Sequence, residues 1–146
     1  MVETKVNEGL IDPQAVSWFP TVLGGEPMIP NIDDLYAVLR QWALEGAPKS
    51  YTDLSHAYRA RTGDWFEPHG SWDKPLGELN NRLDAVGAPA LSALVILQEA
   101  NEPGGKFWGC APNVPRRPAN DIDRLTEWSR IVREVRAYSW PEVLPL

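Results

Sequence analysis

The sequence predicts an α+β fold that is mainly helical. Three observations carry this. Four stretches, near residues 32–45, 52–63, 73–87 and 120–138, repeat apolar residues at helical spacing. One short apolar run, Leu91–Leu97, contains β-branched residues and sits between turn residues, which is the pattern of a buried strand. Fourteen prolines divide the 146 residues into short segments, so much of the chain between these elements is ordered loop.

Taken in order, residues 1–30 read as an acidic N-terminal arm punctuated by Pro13, Pro20, Pro27 and Pro30. Its apolar cluster, Val16, Trp18 and Phe19, either packs on the domain or docks on a partner. Residues 31–146 read as a single domain, long enough to bury a core. The first helix spans 32–45: Asn31 caps it, Asp33 and Asp34 sit at the positive end of its dipole, and Gly46 and Pro48 stop it. Leu35, Val38, Leu39 and Trp42 form its buried face.

Thr52 caps a second helix that turns Leu54, Ala57 and Tyr58 inward and ends at Gly63. The insert Asp64–Trp72 is too rich in Pro, Gly and aromatic residues to continue it, and is longer than a helix-turn-helix needs. Ser71 or Asp73 then caps a third helix with Pro75 in its first turn, and Gly87 ends it. Leu91–Leu97 and Phe107-Trp108, joined through Glu102-Pro103-Gly104-Gly105, make a β-hairpin. After a proline-rich connector, Asn120 or Asp121 caps a long last helix. Ile122, Leu125, Trp128, Ile131, Val132 and Val135 form its apolar face, with Arg124, Arg130, Arg133 and Arg136 on the others. Helix, helix, loop, helix and hairpin in this order form the skeleton of a winged helix-turn-helix, here with a β-hairpin wing, a long C-terminal helix and an irregular N-terminal arm.

Charge and composition narrow the function. A net charge of -6 weighs against a dedicated nucleic-acid binder, whose nonspecific affinity comes from Lys and Arg on phosphates. One cysteine leaves no intrachain disulfide and no multi-cysteine zinc site. No basic-then-apolar leader and no long apolar span is present in the sequence, so a cytoplasmic location is expected.

Four groups of residues remain as candidates. The aromatic insert, with Trp65, Phe66, His69 and Trp72, is either a contact surface for a partner or a plug between helices. Residues 116–136 carry six arginines (Arg116, Arg117, Arg124, Arg130, Arg133 and Arg136) against Asp121, Asp123, Glu127 and Glu134, a net of +2. With Lys74 they make the candidate nucleic-acid surface, weighed against a solvated face of i,i+4 pairs. His56 and His69, with Asp53 and Asp73, are the residues on which a small hydrolase-type enzyme would rest, but their spacing matches no metal motif. Cys110 follows an apolar strand end and reads as a small buried side chain rather than a nucleophile. No metal or cofactor is expected.

The order Tyr51-Thr52-Asp53-Leu54-Ser55, Pro75-Leu76-Gly77, Leu91–Leu97 and Gly104–Trp108 resembles the winged-helix domain of O6-alkylguanine-DNA alkyltransferases and their non-catalytic alkyltransferase-like relatives. The resemblance covers about sixty residues and implies a winged-helix fold. It does not extend to the chemistry. Where that family carries its alkyl-accepting Cys-His-Arg, this chain has Ala88-Pro89-Ala90-Leu91-Ser92. The family's base-flipping arginine corresponds at best to Lys74, which lacks the planar fork of arginine. From Asp64 to Gly87 five acids face two basic residues, a net of -3, so the segment that would read DNA repels it. The expected function is a non-catalytic module that binds a protein, as an accessory or inhibitor in a bacterial or phage system. DNA or RNA binding through the basic last helix is the alternative.

Overall fold

The computed structural model describes residues 29–145, so the expected arm up to residue 28, with Trp18 and Phe19, lies outside the described residues. The fold is α+β and mainly helical: the described residues form four α-helices and one two-stranded parallel sheet.

Helix α1 spans Ile32–Glu45, with the Asn31 side chain accepting a hydrogen bond from the Asp34 amide and Gly46 closing it in the left-handed conformation. Its buried face is the expected one, extended by Tyr36 and Ala43. Strand β1, Lys49–Ser50, leads directly into α2, Tyr51–Thr62. The cap of α2 is Ser50, not Thr52. Ser50 and Asp53 exchange side-chain-to-backbone bonds in a capping box, which satisfies two orphan donors where Thr52 could satisfy one. Gly63 ends α2 as expected.

Helix α3 spans Asp73–Ala85 and has no side-chain cap, from either Ser71 or Asp73. Trp72 occupies the cap position because its indole is drawn into the core, and its carbonyl accepts from the Leu76 amide at 2.9 Å. At the other end Gly87 has a positive φ, and the amides of Gly87 and Ala88 return to the carbonyls of Asp84 and Leu83. This is a Schellman motif.

The expected strand Leu91–Leu97 is mostly not a strand. Leu91–Leu94 form a 3-10 turn, and only Val95–Ile96 form strand β2, paired in parallel with Lys49–Ser50. The turn is the centre of the molecule, packed against α1, α3 and α4. With helices on all these sides, no neighbouring strand is available to satisfy its backbone. Local bonds and side chains do so instead: Ala93 N–H donates to Ala90 O, and Trp128 Nε1 donates to Ala93 O at 2.8 Å.

The expected hairpin is corrected in the same way. It is reduced to one antiparallel bridge, Leu97 to Glu102, with Asn101 in the left-handed region. Pro103 follows at once and has no N–H to extend the ladder. Phe107 belongs to a second 3-10 turn, Gly105–Phe107, and Trp108 follows it; both rings are buried.

Helix α4 spans Asp121–Ala137, capped by Asn120. Ile131, Val132 and Val135 are buried, but Ile122 and Leu125 are 77% and 42% exposed, against expectation. In that half of α4 the inward position belongs to Arg124, which is only 9% exposed. Beyond α4 the chain folds back on α1. Trp140 and Leu144 are buried, Tyr36 Oη donates to Pro141 O, and Arg40 Nε donates to Trp140 O.

The insert is locked by a buried hydroxyl. Ser55 Oγ donates to Phe66 O at 2.5 Å and accepts from Trp72 Nε1 at 2.9 Å. Ser55→Ala leaves a buried N–H and a buried carbonyl without this partner, a loss of about 1–3 kcal/mol. Urea unfolding followed by far-UV circular dichroism is expected to show a lower midpoint with an unchanged slope.

Candidate interaction surface

The structure divides the aromatic insert into an inside and an outside. Phe66 and Trp72 are inside: Trp72 is fully buried, and with Tyr58 they form a trio of edge-to-face rings at centroid distances of 5.3–5.7 Å. Tyr58 Oη accepts from the Asn31 amide, tying the trio to the start of α1. Trp72 is therefore not a partner contact, and Phe66 reaches the surface only as the wall of a groove. Both serve as the plug between helices.

Trp65 is outside. The residue is 39% exposed, and three neighbours hold its ring. The Arg59 guanidinium lies 5.0 Å from the ring centroid, the His56 ring is at 5.2 Å, and the indole Nε1 donates to Glu67 Oε2 at 2.8 Å. His56 and Arg59 are three residues apart on α2 and so share its outer face. Arg59 is not among the residues that the sequence singles out, and Glu67 stands out there only as a carboxylate near His56 and His69. The spacing of His56 and Arg59 was visible there, but not that the insert would return to cover it. His69 stands exposed in the turn that follows, before Gly70.

On the other side of the insert is a groove of about 330 Å³ between the start of α1 and the first turns of α3. Ile29, Pro30, Ile32, Phe66 and Pro75 give it apolar walls, and Lys74 and Glu78 stand on its rim. Ile29 is 78% exposed. Lys74 thus borders an apolar groove on an acidic helix.

The arginines of residues 116–136 separate into two groups. Arg124 binds Glu102 through two nitrogens, at 2.6 and 3.1 Å, and Asp121 through a third at 2.8 Å. The hydrogen bonds from Glu102 and then Asp121 push its pKa upward. Arg130 is held by Glu127 and, at 2.5 Å, by Glu134, and the Glu127 bond leads a similar upward shift. Of the expected nucleic-acid surface, Arg124 is therefore drawn inside, while Arg130 stays half-exposed in solvated pairs along α4. Arg116, Arg117, Arg133 and Arg136 are exposed.

Cys110 lies half-buried beside the buried pair Asn80 and Ser92, with Asn80 Nδ2 3.4 Å from its sulfur. Burial pushes the thiol pKa up, with the Asn80 bond opposing in part. The adjoining slot, lined by Tyr51, Asp73, Ser92, Lys106 and Cys110, measures about 10 Å³, space for one water at most. A protonated thiol in such a slot is a poor nucleophile. Among the described residues no group of three His, Cys, Asp or Glu side chains converges to hold a metal, and no helix is long and apolar enough to cross a membrane. His56 is engaged with Trp65 rather than with a carboxylate pair.

Comparison with family models, curated proteins and solved structures finds no match to the chain.

The Cys110 thiol and the Tyr36, Tyr51 and Tyr58 hydroxyls are all shifted upward by burial. Each favours the folded state while neutral in both states. That stability is lost as pH rises above the ordinary thiol and phenol values, about 8.5 and 10. Unfolding free energy is expected to fall on the alkaline side, and Cys110→Ala is expected to remove the earliest part of the fall. At neutral pH, iodoacetamide is expected to label Cys110 more slowly in the folded chain than in urea.

Proposed function

We propose that this protein is a non-catalytic protein-binding module whose principal contact is the outer side of the 64–72 insert, centred on Trp65. The observation that carries this reading is the contrast within one insert. Phe66 and Trp72 are used as core, while Trp65 is left 39% exposed yet fixed by Arg59, His56 and Glu67. An indole left in water forgoes burial energy, and a pre-oriented one loses little entropy when a partner covers it. Tryptophan and arginine together are enriched at the energetic centres of interfaces.

The frame that presents it reads as winged-helix-like. The order α1, β1, α2, α3, β2 followed by a turn supports this, with the wing shortened to the Leu97–Glu102 bridge. The parallel pairing of β1 with β2 is a departure from the antiparallel wing sheet of that fold. The acidic α3 supports protein over DNA as the partner of that frame.

A photo-crosslinking residue at position 60, exposed on α2 next to Arg59, tests this in the host. Crosslinked partners are expected with the otherwise native chain and are expected to be lost with Trp65→Ala. That substitution should change folding stability by no more than about 1 kcal/mol, being on the surface. At an interface centre it should cost about 2 kcal/mol or more of binding, roughly thirtyfold in affinity. Equal crosslinking by both chains, or none by either, removes this reading.

A further inference from the structure

We infer a second docking surface on α4, for a partner segment that is acidic and partly apolar. Ile122, Leu125, Ser129, Arg133 and Arg136 recur at spacings of three and four and therefore line one face of the helix. All five are exposed. The face is apolar in its first half, where Ile122 and Leu125 are 77% and 42% exposed, and cationic in its second. Arg116 and Arg117 add positive charge in the connector that leads into α4.

The stripe is basic because of how α4 disposes of its carboxylates. Asp121 is drawn towards Arg124, and Glu127 and Glu134 are drawn to Arg130. At 100° per residue, Asp123, Glu127 and Glu134 fall together on a flank, away from Arg133 and Arg136. A chain of net charge -6 thus keeps an acid-free row of arginines next to exposed aliphatic side chains.

Charge complementarity selects an acidic occupant, and the aliphatic half selects a protein one. A phosphate backbone offers nothing to Ile122 and Leu125, and Asp121 and Asp123 beside them would repel it. A polypeptide segment with aliphatic residues at one end and carboxylates at the other covers both halves. Its carboxylates would form forked pairs with Arg133 and Arg136. This surface is independent of Trp65.

The test uses the full chain and three labelled probes in fluorescence anisotropy: a peptide with leucines in one half and glutamates in the other, the same peptide with Lys for Glu, and a short DNA duplex. The Glu peptide is expected to bind and to weaken as salt is raised. Arg133→Glu with Arg136→Glu, and separately Ile122→Ser with Leu125→Ser, are each expected to weaken it by about tenfold or more. Trp65→Ala is expected to leave it unchanged, so this surface and the one on the insert fail independently. Absence of binding by the Glu peptide, or equal binding of the Lys peptide, overturns the inference. So does duplex binding that the arginine variant abolishes and the Ile122/Leu125 variant leaves intact. Both variants alter exposed residues, and an unchanged unfolding midpoint confirms that each is folded.

Discussion

The fold depends on one buried hydroxyl. Ser55 Oγ joins α2 to two points of the insert, the Phe66 carbonyl and the Trp72 indole, which lie eleven and seventeen positions downstream. A buried backbone carbonyl and a buried N–H are each costly without a partner, and one serine satisfies both. Because Trp72 is thereby fixed, so is the start of α3, which has no side-chain cap of its own. Phe66 is held inside by the same hydroxyl, and Trp65 before it lies on the outside.

A second polar group works similarly at the centre. Asn80 is fully buried, donates to Ser92 Oγ at 2.6 Å, and faces the Ser92 amide at 3.4 Å. It holds α3 to the 3-10 turn that α1 and α4 also cover. Buried polar groups that are matched in this way favour one arrangement over near alternatives, because any shift leaves them unpaired. Such a centre suits a rigid scaffold that displays contact surfaces on its outside.

The helices were legible in the sequence because their signals are local. Asn31, Gly46, Gly63 and Asn120 act where their types predict, and the α1 face has the expected period. The errors arise where distant partners decide. Leu91–Leu94 has the composition of a strand, but surrounding helices leave it no strand to pair with. Arg124 has the position of a surface cation, but Glu102, far off in sequence, claims it. The insert was recognisable as unusual from its aromatic content. Which of its three rings would remain outside was not, since that depends on Ser55 and on the face of α2 that His56 and Arg59 share.

The segment after α4 gives the domain a long-range closure. Tyr36 and Arg40 of α1 bond to Pro141 and Trp140, which are 105 and 100 positions away, and Trp140 and Leu144 are buried against this part of the core. The first helix to be written in the described chain is therefore finished by nearly its last residues. Contacts of such separation must await the ordering of what lies between, and they slow folding more than they reward it early. Until residues 140–144 arrive, one side of α1 stays open to solvent, so a chain shortened at this end keeps every helix in its sequence yet lacks the clasp that closes them into one body.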